Sequence, residues 1–184
     1  MLTIIEHASS GYAPRTYANA TNSDVTIAIA VDYTTAGERL THRAAGEKYL
    51  KLDPELPWIE NARILFKRVS ANGNTYPVVI NVAGNGIYTL AKNKVSQEEV
   101  NLYVYKILAQ VGEYYPISRI VSGGQTGVDL AGGVAGYVLG IPTTMLMPKG
   151  FKQRFEDGID IVQTEQDVRT QVQYYAEKLQ KELG

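Results

Sequence analysis

The apolar positions of the chain fall into short unbroken runs separated by stretches with helical spacing. Val25 to Val31, VTIAIAV, is bounded by polar residues and predicts a strand buried on both faces. GERLTHRAAGEKYLKL after it has helical composition. RILFKRVS and TYPVVINVAG are two further apolar runs around Asn72-Gly73, a dipeptide suited to a turn with positive φ at both positions, and predict a β-hairpin. Residues 53–63 read as a surface connection. Ser96 followed by Glu99 forms a capping-box pattern, and Val100, Tyr103, Val104, Ile107, Leu108 and Val111 then predict a helix over 96–112. RIVSG returns to strand, Thr126 to Leu139 to helix, with Gly140 and Pro142 as the stop, and TTMLMP to strand. Thr164 and Asp167 cap a last helix whose stripe is Val168, Val172, Tyr175, Leu179 and Leu183. Strands alternating with helices predict an α/β fold: a Rossmann-like, mainly parallel sheet with helices on both faces, plus the hairpin, in three α/β/α layers.

Composition narrows this picture. With 184 residues and 45% hydrophobic content the chain is long enough for one well-buried core, which predicts a single domain over 1–184. A net charge of -1 with dispersed Lys and Arg gives no footprint for a nucleic-acid backbone. The absence of cysteine excludes disulfides and thiolate zinc sites, and with no secretory or membrane-spanning segment the expected compartment is the cytoplasm.

Ser122-Gly123-Gly124-Gln125-Thr126-Gly127 lies where a strand gives way to a helix. Glycines there let the backbone turn and approach a ligand, with amides directed outward at the positive end of a helix dipole, so phosphate is the expected guest. Ser122 and Thr126 supply hydroxyls, Gln125 an amide, and Asp129 a carboxylate for orienting a donor or meeting a ribose hydroxyl. The competing reading is a tight turn with Asp129 decorating the helix start. Gly132, Gly133 and Gly136 in that helix imply close packing on the sheet. The spelling is neither a Walker A loop nor G-x-G-x-x-G. Lys149, after the next strand, suits an anionic group or is a solvated surface lysine.

SGGQTGVDLAG, followed by Gly140-Ile141-Pro142 and Pro148-Lys149-Gly150, resembles the molybdenum-cofactor carrier family, within the wider SLOG group of Rossmann-like nucleotide-binding proteins that includes the LOG phosphoribohydrolases. The family's second half, with Arg-Thr, an Asn, Ser-Asp and Gly-Thr-x-Leu-Thr, is matched by Arg15, Thr16, Asn19, Ser23, Asp24, Gly37, Leu40 and Thr41, and its closing Asn-Val-Ala-Gly by residues 81–84. That half stands first here, an order similar to a circular permutation (1–84, a joining helix 96–112, then 119–184) and associated with bacteriophage proteins, hence a host cytoplasm. Permutation is tolerated when termini lie at the surface, so the sheet and its cleft survive it.

The resemblance implies a second half-site at Thr34, Thr35 and Gly37 before another helix, with Asn19 also a ligand-binding candidate, while Arg15 and Thr16 clamp a phosphate or carboxylate or Arg15 is a surface arginine in a loop. In the phosphoribohydrolases a glutamate at that helix start helps cleave the N-glycosidic bond; here Thr41 takes its place, and Glu38 is near but offset. Tyr12, Tyr17, Tyr33 and Tyr88 stack on a base or simply pack, and Gly84-Asn85-Gly86 is a third backbone approach or a turn. His7 and His42 have no metal-ligand spacing, so no metal and no required cofactor are expected. The leading expectation is a non-enzymatic carrier, sensor or sequestering decoy for a phosphorylated nucleotide or nucleotide-derived molecule. The alternatives are an enzyme cleaving a nucleotide's glycosidic bond, with Asp129 or Glu38 as acid or nucleophile, and a molybdopterin carrier. Relatives of this kind often form oligomers, so a homo-oligomer is expected.

Overall fold

The computed structural model describes residues 1–71 and 77–184. In chain order the elements are β1 (Leu2–Glu6), α1 (Tyr12–Thr21), β2 (Val25–Ile29), α2 (Ala36–Ala45), β3 (Tyr49–Leu52), α3 (Trp58–Val69), β4 (Val78–Gly84), α4 (Ile87–Lys92), α5 (Gln97–Tyr114), β5 (Ile117–Ser122), α6 (Val128–Val138), β6 (Thr143–Met147), β7 (Gln153–Arg154), β8 (Asp160–Ile161) and α7 (Glu165–Leu183). Six strands form one parallel sheet in the order β1-β6-β5-β4-β2-β3, and β7 and β8 form a small antiparallel hairpin. The Rossmann-like α/β architecture expected from the alternation of elements is present.

Strand β2 is buried on both faces, as its unbroken apolar run requires. Val25, Ile27 and Ile29 join Ile80, Val82 and Ile120 under α3, α5 and α6, while Thr26 turns the other way and accepts a hydrogen bond from Asn81 Nδ2 at 3.1 Å. A second apolar cluster seats α7 against β1, β6 and α6 through Leu2, Met145, Leu130, Val168 and Val172. Helices α1 and α2 pack on each other beside β6 and β4. The glycines of α6 bring it close to the sheet: a Cβ at Gly132 would sit 2.6 Å from Val82, and one at Gly136 2.1 Å from the Thr143 hydroxyl. Both expected capping boxes are formed, at Ser96 with Glu99 and at Thr164 with Asp167.

The hairpin lies elsewhere than the sequence places it. RILFKRV belongs to α3, because Ala62, Leu65 and Val69 recur at helical spacing and are buried while Arg63, Phe66 and Lys67 face outward, a period near 3.6 rather than 2. The Asn72-Gly73 turn lies outside the described residues, and the intended second arm is β4, at the centre of the sheet. Residues 58–63, read as surface connection, are the start of α3. The helical stretch after β2 ends at Gly46, and Tyr49–Leu52 forms the edge strand β3.

Candidate functional site

After β2 the chain moves through α2 to the outer strand β3, whereas β4, β5 and β6 follow one another in the opposite direction across the sheet. Between β2 and β4 the outgoing loops therefore diverge, and a crevice opens at the carboxyl ends of the strands, the place where open α/β sheets bind ligands. A cleft of about 450 Å³ lies there, lined by Tyr12, Thr35, Ala36, Gly37, Glu38, Gly84, Asn85, Gly86, Tyr88, Thr89, Gln125 and Arg154.

Its first wall is the start of α2. The Thr35 hydroxyl accepts from the Glu38 amide at 3.2 Å, capping the helix, and Ala36 and Gly37 face the cleft at the positive end of the dipole. Thr34 is exposed and turns its amide and hydroxyl to Asp32 Oδ1, away from any clamp. Opposite stands the end of β4. Asn85 is buried, accepts from the Asp32 amide at 2.9 Å and donates to the Asp32 carbonyl at 3.0 Å, joining the two loops. Tyr12 and Tyr88 line the cleft. Tyr33 does not: its hydroxyl donates to the carbonyl of Leu52 at 2.7 Å and serves as a structural tie, and Tyr17 is exposed on α1.

Glu38, only 2% exposed, is the acid of the cleft. The Tyr49 hydroxyl donates to its carboxylate at 3.5 Å. Burial, with the Asp129 charge adding to it, pushes its carboxyl up to about 7, and burial likewise pushes the Tyr49 hydroxyl up to about 12. Thr41 spends its hydroxyl on the Gly37 carbonyl at 3.0 Å.

The glycine loop departs from the expectation of outward-facing amides. Its donors are occupied by the protein itself: Gly124 by Ser122 Oγ at 3.3 Å, Thr126 by Gln125 Oε1 at 3.1 Å, Gly127 by Gln97 Oε1 at 2.6 Å. The Val128 amide is bound by the Asn85 carbonyl at 3.1 Å. Ser122, Thr126 and Asp129 are buried, and a Cβ at Gly123 would fall 1.4 Å from Arg15 Nη1, so that glycine makes room for a guanidinium rather than a ligand. Gly127, at φ 90 and with its Cβ position 2.4 Å from the Asn85 carbonyl oxygen, answers a crowded turn. Of the loop only Gln125 reaches the cleft. The physical reason is that the helix start carries its own anion: Asp129 pairs with Arg15 at 3.0 Å in the interior. Burial raises the Asp129 carboxyl, opposed by Arg15 and by the amides of Gly84 and Gln125.

The Arg15, Thr16, Asn19 clamp is likewise internal. Arg15 is committed to Asp129, the Thr16 hydroxyl to the Tyr12 carbonyl at 2.9 Å, and Asn19 Nδ2 to the Leu146 carbonyl at 3.5 Å. Lys149 is exposed and is not part of the cleft lining, which leaves the solvated reading. His7 Nδ1 accepts from the Ser9 amide, and His42 stacks on Tyr49 with 4.2 Å between ring centres.

Arg154 was not legible from the sequence. It stands on β7, with Nε 2.8 Å from Asp160 Oδ1, and its backbone amide donates to Gln125 Oε1 at 2.6 Å. The Thr126 hydroxyl bonds the Arg154 carbonyl, Gln153 Nε2 donates to the Gly124 carbonyl at 2.7 Å, and Gly158 rests on the Tyr88 ring, so the hairpin is docked over the cleft. A two-residue strand has no periodicity to reveal it. Gln97, 30 residues before its partner Gly127, gave no signal beyond standing next to a cap.

Elsewhere, a groove of about 340 Å³ between α3 and α5 is lined by Ile59, Ala62, Phe66, Val111 and Tyr114 together with Arg63, Lys67 and Gln110. No cluster of three or more His, Asp or Glu able to hold a metal occurs among the described residues, and no helix there is long and apolar enough to cross a membrane. Comparison of the chain with protein-family models, with curated proteins and with solved structures finds no match.

Proposed function

We propose that the protein binds a phosphorylated nucleotide or a nucleotide-derived small molecule in the cleft between the β2–α2 and β4–α4 loops, as a carrier, sensor or sequestering protein. The observation that carries this reading is the convergence, at the sheet's point of divergence, of a free-facing helix start (Ala36, Gly37), two aromatic rings (Tyr12, Tyr88) and one cationic side chain (Arg154). A base finds apolar ring surface, and an anionic group finds the helix dipole and a guanidinium. A molybdopterin, which also combines a fused ring with a phosphate, fits the same description. Calorimetry with a panel of nucleotides and with the pterin tests it: micromolar binding that falls at least tenfold in Arg154→Ala is expected, and no heat from any member of the panel refutes the reading.

Glu38 supports a second reading, cleavage of the glycosidic bond. A buried carboxyl titrating near neutrality beside the cleft has the protonation behaviour of a general acid. Release of free base from a bound nucleotide, abolished in Glu38→Gln, would establish it. Retention of the intact nucleotide over many hours leaves the binding protein.

A further inference from the structure

Two backbone amides from separate elements, Thr126 at the head of α6 and Arg154 on β7, converge on one oxygen, Gln125 Oε1, at 3.1 and 2.6 Å. Gln125 is half-buried and lines the cleft, so its carboxamide stands between those amides and the open space. The Tyr12 hydroxyl also lies beside that side chain. The hairpin is tied to the loop independently, through the Thr126 hydroxyl to the Arg154 carbonyl and through Gln153 to the Gly124 carbonyl. The pair of amides would therefore hold its spacing with the carboxamide gone.

The surroundings favour negative charge. Lys152 and Arg154 share one carboxylate, Asp160, at 3.9 and 2.8 Å. Asp160 engages Arg154 through Nε and Nη2 only. The Tyr12 hydroxyl, a further donor at this end of the cleft, is buried and unpartnered, with Gln125 and Asp160 near it but neither completing a hydrogen bond. A neutral amide oxygen is a weaker acceptor for such donors than an ionised phosphoryl oxygen, whose bonds are about twice as strong.

We propose that Gln125 is a displaceable stand-in for an anion: a phosphoryl or pyrophosphoryl group enters the cleft, turns the carboxamide out and takes its place between the Thr126 and Arg154 amides, beneath the Arg154 side chain. The inference rests on the nucleotide-binding reading and assigns that ligand's charged end to the hairpin side of the cleft. It also supplies a gate, since the site is closed by the protein's own side chain until a stronger acceptor arrives.

The test is a titration of the full chain with inorganic pyrophosphate, followed by the backbone amide resonances of Thr126 and Arg154, in wild type, Gln125→Ala and Gln125→Glu. Removal of the stand-in is expected to tighten pyrophosphate binding at least tenfold, with saturable shifts at both amides. The glutamate, a permanent anion of the same shape, is expected to abolish them. Equal or weaker binding by Gln125→Ala than by wild type, or shifts confined to other amides, overturns the proposal and makes Gln125 an ordinary ligand contact. Gln125→Ser repeats the measurement if the alanine variant loses its dispersed spectrum. Wild-type protein that binds nucleotides while Gln125→Ala gains nothing would retire this inference and leave the proposed function intact. Pyrophosphate uptake by Gln125→Ala without nucleotide binding by wild type would do the reverse.

Discussion

Replacing Glu38 by glutamine should stabilise the protein in alkaline solution and leave it unchanged in mild acid. The carboxyl is raised from 4.5 to about 7 in the folded chain, first by burial and then by the Asp129 charge, with the Tyr49 hydroxyl opposing. Below pH 4.5 the group is protonated whether the chain is folded or not, and its stabilising contribution is complete. As the pH climbs towards 7 the unfolded chain releases the proton while the folded protein keeps it, so stability falls; above 7 both states are ionised and the loss is constant. The interval from 4.5 to about 7 corresponds to about 3 kcal/mol at 1.36 kcal/mol per unit. Glutamine has the shape of the protonated acid and cannot ionise. Urea unfolding of both proteins at pH about 3.5 and pH 8 removes the titrating groups they share from the difference. The variant should match wild type at the lower pH and exceed it by about 3 kcal/mol at the higher, roughly 6–12 °C in midpoint for a chain of this size. A difference that is the same at both values, or a wild type that gains on the variant as the pH rises, refutes the argument that this carboxyl is held neutral by its surroundings.

Other consequences are as direct. Arg15→Met leaves Asp129 in the interior without its cation and should cost about 3–5 kcal/mol by denaturant titration, and adding Asp129→Leu should restore most of it. Gly127→Ala combines a left-handed φ of 90 with a clash on the Asn85 carbonyl, and at least about 2 kcal/mol of lost stability is expected in the same assay. Gln97→Ala strips the buried Gly127 amide of its acceptor, at a cost of about 1–3 kcal/mol, and hydrogen exchange should report faster opening at Gly127.

The sequence carried the architecture where the signal was local. Helices α5 and α7 announced themselves by cap and stripe, and β2, β5 and β6 by unbroken apolar runs, because burial on one helical face or on both sheet faces leaves a period in the residues themselves. Helix α3 was misread since RILF is a continuous apolar run whose spacing emerges only when Ala62 and Val69 are included. At the site the limit is of another kind. Whether the amides of a glycine loop look outward depends on what meets them, and here that is Gln97, 30 positions upstream of Gly127, and Asp129, itself held by Arg15 from 114 positions away. Such partners leave no trace in spacing. The βα junction is legible in the sequence, whereas the pairing of Asp129 with Arg15 at its helix start is not.

The pair of hydrogen bonds between Asn85 and the backbone of Asp32 makes one bracket of the β2–α2 and β4–α4 loops. If the cleft binds as proposed, a guest settling against either wall meets a frame already assembled when the chain folded, so little ordering is left to do on arrival. Selectivity in such a fixed jaw must then come from the shape and charge of what is offered to it rather than from the jaw adapting, and the adjustable parts are confined to the side chains at its rim.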